Sequence, residues 1–177
     1  MRVDENGWAL GAIAALAVDE AWSLLSPEPE GRVDEARWAH QAEKFFRARL
    51  AFAEPKRYPA GTLPLADALF VDIGRLEDTT LTRLLVVTVP LDRAPAVEQA
   101  ARLGVLAIGG AGFDALLLRA RRLWQVQVSG EGDPAAPAAL AALLASLFLA
   151  PVLPPGGGTI FGVKGARERL AASGWKS

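Results

Sequence analysis

The chain contains no cysteine and only one histidine, His40, among its 177 residues. The first absence excludes disulfides, thiolate nucleophiles, zinc ribbons and iron–sulfur clusters held by its own residues. The second excludes a multi-histidine metal site within one chain. Any histidine-dependent relay falls to His40, whose neighbours Trp38, Ala39 and Gln41 supply no second member. An excess of one charge is lacking too: the formal net charge of −1 gives no global pull toward nucleic acid or an anionic membrane. Asn, Gln and Met are scarce and arginine outnumbers lysine, a composition akin to that of heat-adapted proteins.

What is present is a large apolar fraction, 51% against 22% charged, which places the chain among globular proteins with a substantial core. Charge is unevenly distributed. Residues 1–31 carry Asp4, Glu5, Asp19, Glu20, Glu28 and Glu30 against Arg2 alone, whereas residues 32–57 are rich in arginine and lysine. Asp4 and Glu5 stand where a signal peptide would be basic, and Asp19-Glu20 interrupt the apolar stretch, so a cytoplasmic protein is expected. The uncharged run PAAPAALAALLASLFLAPVL at 134–153 has the length of a membrane span. Its many alanines, with Pro137 and Pro151 inside it, favour a buried core helix instead.

Apolar spacing predicts a helix over 8–25 with Asp4 as its cap, and a second over 33–53 bearing Trp38, Ala42, Phe45, Phe46, Leu50 and Phe52. After the turn-rich PKRYPAGTLP, the runs at 68–73 and 84–89 read as buried strands. A helix at 93–104 stopped by Gly104, a strand VLAI at 105–108, a helix at 113–123 and a strand at 124–128 follow. That alternation implies parallel strands joined by right-handed crossovers. Asp133 is placed to cap the alanine-rich helix, a short TIFGV strand follows it, and ARERLAASGW closes the chain as a helix. The expected fold is a single α/β domain, a central mixed sheet with helices on both faces and an extra N-terminal helix. Its parts are an N-terminal helix and linker (1–31), an α/β core (32–133), and a C-terminal unit packing on that core (134–177).

Four groups of residues invite a functional reading. Gly109-Gly110-Ala111-Gly112 before a helix, with Lys164 in PPGGGTIFGVKG, presents backbone N–H groups and a cation of the kind that grips a phosphate. Neither stretch completes a dinucleotide or P-loop fingerprint, so Gly110, Gly112 and Lys164 stand as a candidate anion site beside the plainer reading of turns. Asp72 and Asp92, with Asp67 near them, could meet at one end of the sheet and bind Mg²⁺ as the only cofactor in view; ordinary loop chemistry is the alternative. Lys44, Arg47 and Arg49 on the basic helix, with Arg119, Arg121 and Arg122 near Trp124, make a candidate polyanion surface. Trp8, Trp22 and the Ala/Leu helix at 138–149 offer a surface for self-assembly into a homo-oligomer.

The order of elements over 33–128, and the stretch AVEQAARLGVLAIGGAGFDALLLRARRLWQV at 96–126 with its Gly112-Phe113 turn before a helix, resembles the restriction-endonuclease-like fold of the Mrr type. The resemblance implies strands carrying a metal-binding Asp, for which Asp72 could stand, and a Glu-x-Lys. The strand that should carry the second motif reads LLVVTVPLD, and no lysine lies between Lys56 and Lys164. Glu54-Pro55-Lys56 precedes Asp72 and lies in a proline-broken turn. Without these parts the expectation is a non-enzymatic domain that has lost cleavage and kept binding, contacting nucleic acid or an acidic protein partner. The alternatives are a metal-dependent nuclease using Asp67, Asp72 and Asp92, a small-ligand or nucleotide binder, and an assembly subunit.

Overall fold

The computed structural model describes residues 14–52 and 68–175, together with the backbone of 2–3 and 9–10. Two short strands, β1 (Arg2–Val3) and β2 (Ala9–Leu10), pair antiparallel with each other. Strand β3 (Trp22–Ser26) is followed by helix α1 (Glu35–Phe46) and strands β4 (Ala48–Phe52), β5 (Ala68–Arg75) and β6 (Thr82–Pro90). Helices α2 (Pro95–Ala107) and α3 (Phe113–Arg119) precede β7 (Arg122–Val128), α4 (Ala136–Phe148), β8 (Val152–Leu153) and α5 (Val163–Ala172). Six of the strands form one sheet in the order β4-β5-β6-β7-β3-β8, and each pairing is antiparallel.

Side chains alternate across this sheet and divide the core in two. Leu24, Leu50, Val71, Val86 and Trp124 face the layer of α1, α4 and α5. Leu25, Val87, Val89 and Leu123 face α2, whose Val97, Ala101 and Val105 cover them. The α/β class with helices on both faces is therefore what the chain adopts. The parallel strands and crossovers expected over 84–128 are not: β6 and β7 are antiparallel neighbours, and α2 and α3 are an excursion between them.

The helix expected over 8–25 is replaced by β2, a 3-10 turn at Val18–Glu20, and β3. Ser23, Leu24, Leu25 and Ser26 are all buried, because β3 lies between β7 and β8 with both faces covered. A strand buried on both faces shows no alternation, so its short apolar run fits a helical period equally well. The preceding residues are fixed to the sheet by one side chain. Buried Gln125 accepts the Leu16 N–H at 2.7 Å, and its amide donates to the Leu16 carbonyl at 2.9 Å and to Ser23 Oγ at 3.1 Å.

Helix α1 begins at Asp34, whose carboxylate accepts the Arg37 N–H at 3.1 Å. Trp38, Ala42 and Phe46 form its buried stripe. It stops well short of residue 53. Arg47 turns left-handed (φ 48°), its N–H donates to the Ala42 carbonyl, and the chain reverses into β4. The VLAI run is helical as well. Val97, Ala101, Gly104 and Val105 make one continuous buried face, so Gly104 is interior to α2 rather than its stop. Its reason is close packing: a Cβ there would sit 2.8 Å from the Thr159 carbonyl oxygen.

The alanine-rich segment is a core helix. Ala136, Pro137 and Ala139 to Ala145 are buried in α4, which packs on β3 and β7 with α1 and α5 alongside. Among the described residues no helix is long and apolar enough to cross a membrane. The N-cap is Ala135 rather than the expected Asp133, which lies two residues ahead and accepts the Ala135 N–H at 2.9 Å. The TIFGV strand reduces to one antiparallel bridge between Phe161 and Val152, and α5 begins already at Val163. Trp175 is buried, and its Nε1 donates to the Phe46 carbonyl at 2.9 Å.

Candidate functional site

The register places each sequence candidate. Arg122 stands opposite both Ser26 and Pro90 at one end of the sheet, whereas Ala48, Arg75, Thr82 and Val128 mark the other. Arg119, Arg121 and Arg122 therefore lie at the first end, and Lys44, Arg47 and Arg49 at or near the second; the fold does not bring the two basic groups together. Arg121 and Arg122 also have structural work. The Arg121 guanidinium donates to the Leu118 and Ala120 carbonyls at 2.9 Å each, finishing α3. Arg122 donates to the Pro29 carbonyl at 2.8 Å and to Thr88 Oγ1 at 3.3 Å. Arg119 is exposed, and at the α1–β4 corner so are Lys44, Arg47 and Arg49.

Asp72 and Asp92 do not meet. Asp72 stands opposite Arg83 and is held by it in a two-pronged ion pair of 2.8 and 3.0 Å, which raises the Arg83 pKa above its usual value. Asp92 is exposed in the turn after β6, about 20 Å further along that strand at about 3.3 Å per residue. Asp67, like Asp4, Trp8 and the turn at 55–64, lies outside the described residues. Among the described residues no three acidic or histidine side chains cluster as a metal site would require. His40 is exposed on α1.

The glycine cluster ends a helix rather than a strand. Gly109 N–H donates to the Leu106 carbonyl and Gly110 N–H to the Val105 carbonyl, the paired bonds of a Schellman cap. Gly109, Gly110, Ala111 and Gly112 all have positive φ, from 48° to 86°, which explains the glycines without a ligand. The Asp114 carboxylate flanks Gly110 at 3.5 Å from where its Cβ would be, and an anion would meet that charge. Lys164 is 91% exposed on α5, at 3.9 Å from Glu168.

This turn folds α3 back beside α2 and opens a groove of about 510 Å³ between them. Val105, Leu117 and Ala120 line it, with Glu98, Arg102 and Arg121 at its polar edges. A second hollow of about 370 Å³ shares Leu91, Glu98, Ala120 and Arg121 with it and extends it toward Pro29 and Asp92. At the groove the apolar surface is open: Leu106 is 75% exposed and Leu118 78%. Sequence reasoning missed this surface because it took 105–108 for a strand. The signal was present in the spacing Glu98, Arg102, Val105, Leu106, which is one side of a helix. Of the expected assembly surface, by contrast, α4 is buried and Trp22 is half-buried.

The ionisable groups with displaced pKa values are structural. Burial pushes the Asp133 carboxyl up, but the Ala135 N–H and the Arg75 guanidinium together outweigh it and leave it below the usual carboxylate range. Arg75 Nε reaches Asp133 at 3.0 Å, its other nitrogen donates to the Gly174 carbonyl at 2.7 Å, and the guanidinium lies 4.7 Å from the Trp175 ring centre. Burial alone raises Glu35 in the first turn of α1.

No family model, no characterised protein and no solved structure matches the chain. The restriction-endonuclease-like resemblance therefore rests on the sequence stretch quoted above, and the strand it expects before the glycine turn is the end of α2.

Proposed function

We propose that the protein is a non-catalytic binding module that acts by docking an apolar segment of protein in the α2–α3 groove. The observation that carries this reading is the exposure of Leu106 and Leu118, one from each helix, along one concave apolar surface. Isolated exposed leucines are common, but two facing one groove with an apolar floor form a patch that association would cover. The cysteine-free chain makes the test clean. A photo-crosslinker is attached to Leu106→Cys or Leu118→Cys, and to Glu168→Cys on the remote helix α5. Discrete protein adducts are expected from the groove positions and not from position 168, and they should disappear when Leu106→Asp is combined with Leu118→Cys. An absence of groove adducts would remove the reading.

Contact with nucleic acid is a second reading, and the observation favouring it is the exposure of Lys44, Arg47 and Arg49 at one corner. It predicts binding at low salt that weakens steeply as salt rises and is lost on changing these three residues to alanine. Equal binding by the triple variant would count against it.

A further inference from the structure

We infer that residues 1–13 of this chain cover an open part of the sheet, on the face that α2 shares but away from that helix. Register defines the open part. Gln127 stands opposite Leu85 and Leu85 opposite Phe70; one step along the strands, Arg83 stands opposite Asp72 and Asp72 opposite Ala51. Opposed residues in a ladder share a face. The adjoining row through Gln125, Val87 and Ala68 is buried, whereas Leu85, Phe70 and Ala51 are half-buried and Arg83 is exposed. The main neighbours of α2 are α3, β8 and the turns at Val18–Glu20 and Leu91–Arg93, so it does not roof these rows.

The course of the chain points to the occupant. The Val18 carbonyl accepts the Gly156 N–H at 3.1 Å, beside the loop that follows β8, and Leu16 is held by both backbone groups on Gln125 of β7. Read backward from β3, the chain therefore crosses the sheet from the β8 side, and β6 and β5 come next in the strand order. They lie about 5 and 10 Å further on, at about 4.8 Å per strand. Pairing of β1 with β2 folds the upstream stretch in two, and about six extended residues still span about 20 Å, enough to cross both strands. The stretch is also of the right character. It carries Val3, Trp8, Leu10 and Ile13 to set against Leu85, Phe70 and Ala51, and Asp4 and Glu5 against Arg2 alone. Arg83 is already held by Asp72, and Arg49, two residues before Ala51 on this face, is exposed without an ion-pair partner among the described residues. The acids of the segment complement that charge. This inference is independent of the groove reading.

The test is nuclear magnetic resonance of the full chain carrying one nitroxide label, which the absence of native cysteine allows. The label is placed at Ser129→Cys, an exposed position whose N–H donates to the Arg83 carbonyl, or at Lys164→Cys on α5, which packs on the other face of the sheet. Both sites are exposed, so an unchanged melting temperature is expected. The Trp8 indole signal is assigned by its loss in Trp8→Phe. The expected result is that the label at 129 abolishes the Trp8 signal, that reducing the nitroxide restores it, and that the label at 164 leaves it intact. A Trp8 signal untouched by the label at 129 overturns the inference. Loss of the signal only when spin-labelled chains are mixed with isotope-enriched, unlabelled chains also overturns it, since the segment would then cover a second copy. Broadening of Tyr58, the single tyrosine, in place of Trp8 gives the face to residues 53–67 and overturns it as well.

Discussion

Gln125 shows how one residue can fix a segment that has little periodic structure of its own. Its amide takes both backbone groups of Leu16, replacing the pairing that a neighbouring strand would supply. Gln125→Leu should therefore cost about 2–3 kcal/mol, since it leaves backbone groups unpaired against the sheet. Chemical denaturation measures the loss, and faster hydrogen exchange at Leu16 would localise it. Ala111 is the opposite case, a side chain in a left-handed turn between glycines, with φ 48°. Removing its Cβ relieves strain of about 1–2 kcal/mol and returns part of that to the unfolded chain's entropy. Ala111→Gly should raise stability by about 0.5–1 kcal/mol, read as a higher denaturant midpoint with an unchanged slope. Asp133 provides the acid-sensitive contact. Its folded pKa lies below the unfolded value, so its stabilising effect is fully present above the ordinary carboxylate range and disappears as pH falls through the lowered folded value. Asp133→Asn should lower stability at neutral pH and flatten its dependence below about pH 4, which melting curves in acid buffers would show.

At the scale of elements, what was legible in the sequence followed how strongly each segment's pattern excluded alternatives. The β-branched runs in β5 and β6 are too short for buried helices and were readable, as was α4 with Asp133 before it. The WSLLS and VLAI runs were not, because four or five residues are too few to establish a period of their own. The first is a strand because β7 and β8 flank it; the second is a helix because its upstream stripe continues through Gly104. The α1–β4 boundary was hidden for another reason: Arg47 adopts a conformation usually left to glycine. Gly104 gives this level its prediction. Gly104→Val would force α2 away from the Thr159 carbonyl and cost about 2 kcal/mol or more, despite the better helix propensity of the new residue. Unfolding in denaturant tests it, and a neutral result would mean that the 154–162 segment yields easily.

For the whole molecule, the sheet's ends decide which candidate residues can act together. Six strands place the α1–β4 corner and the end of α3 at opposite ends, so charges that look additive in the sequence are separate in space. The same topology sends the chain out between β6 and β7 as two helices, and Leu103, Leu106 and Leu118 are exposed on that excursion. The surface was illegible from sequence because it depends on α3 folding back beside α2, which the four positive-φ residues at 109–112 make possible. The central claim is that this surface is where the protein meets a protein partner. Peptide-resolved crosslinking from position 118, compared with position 168, tests it most directly. The account predicts that position 118 joins a defined apolar segment and position 168 does not; equal products at both positions, or none at 118, would contradict it.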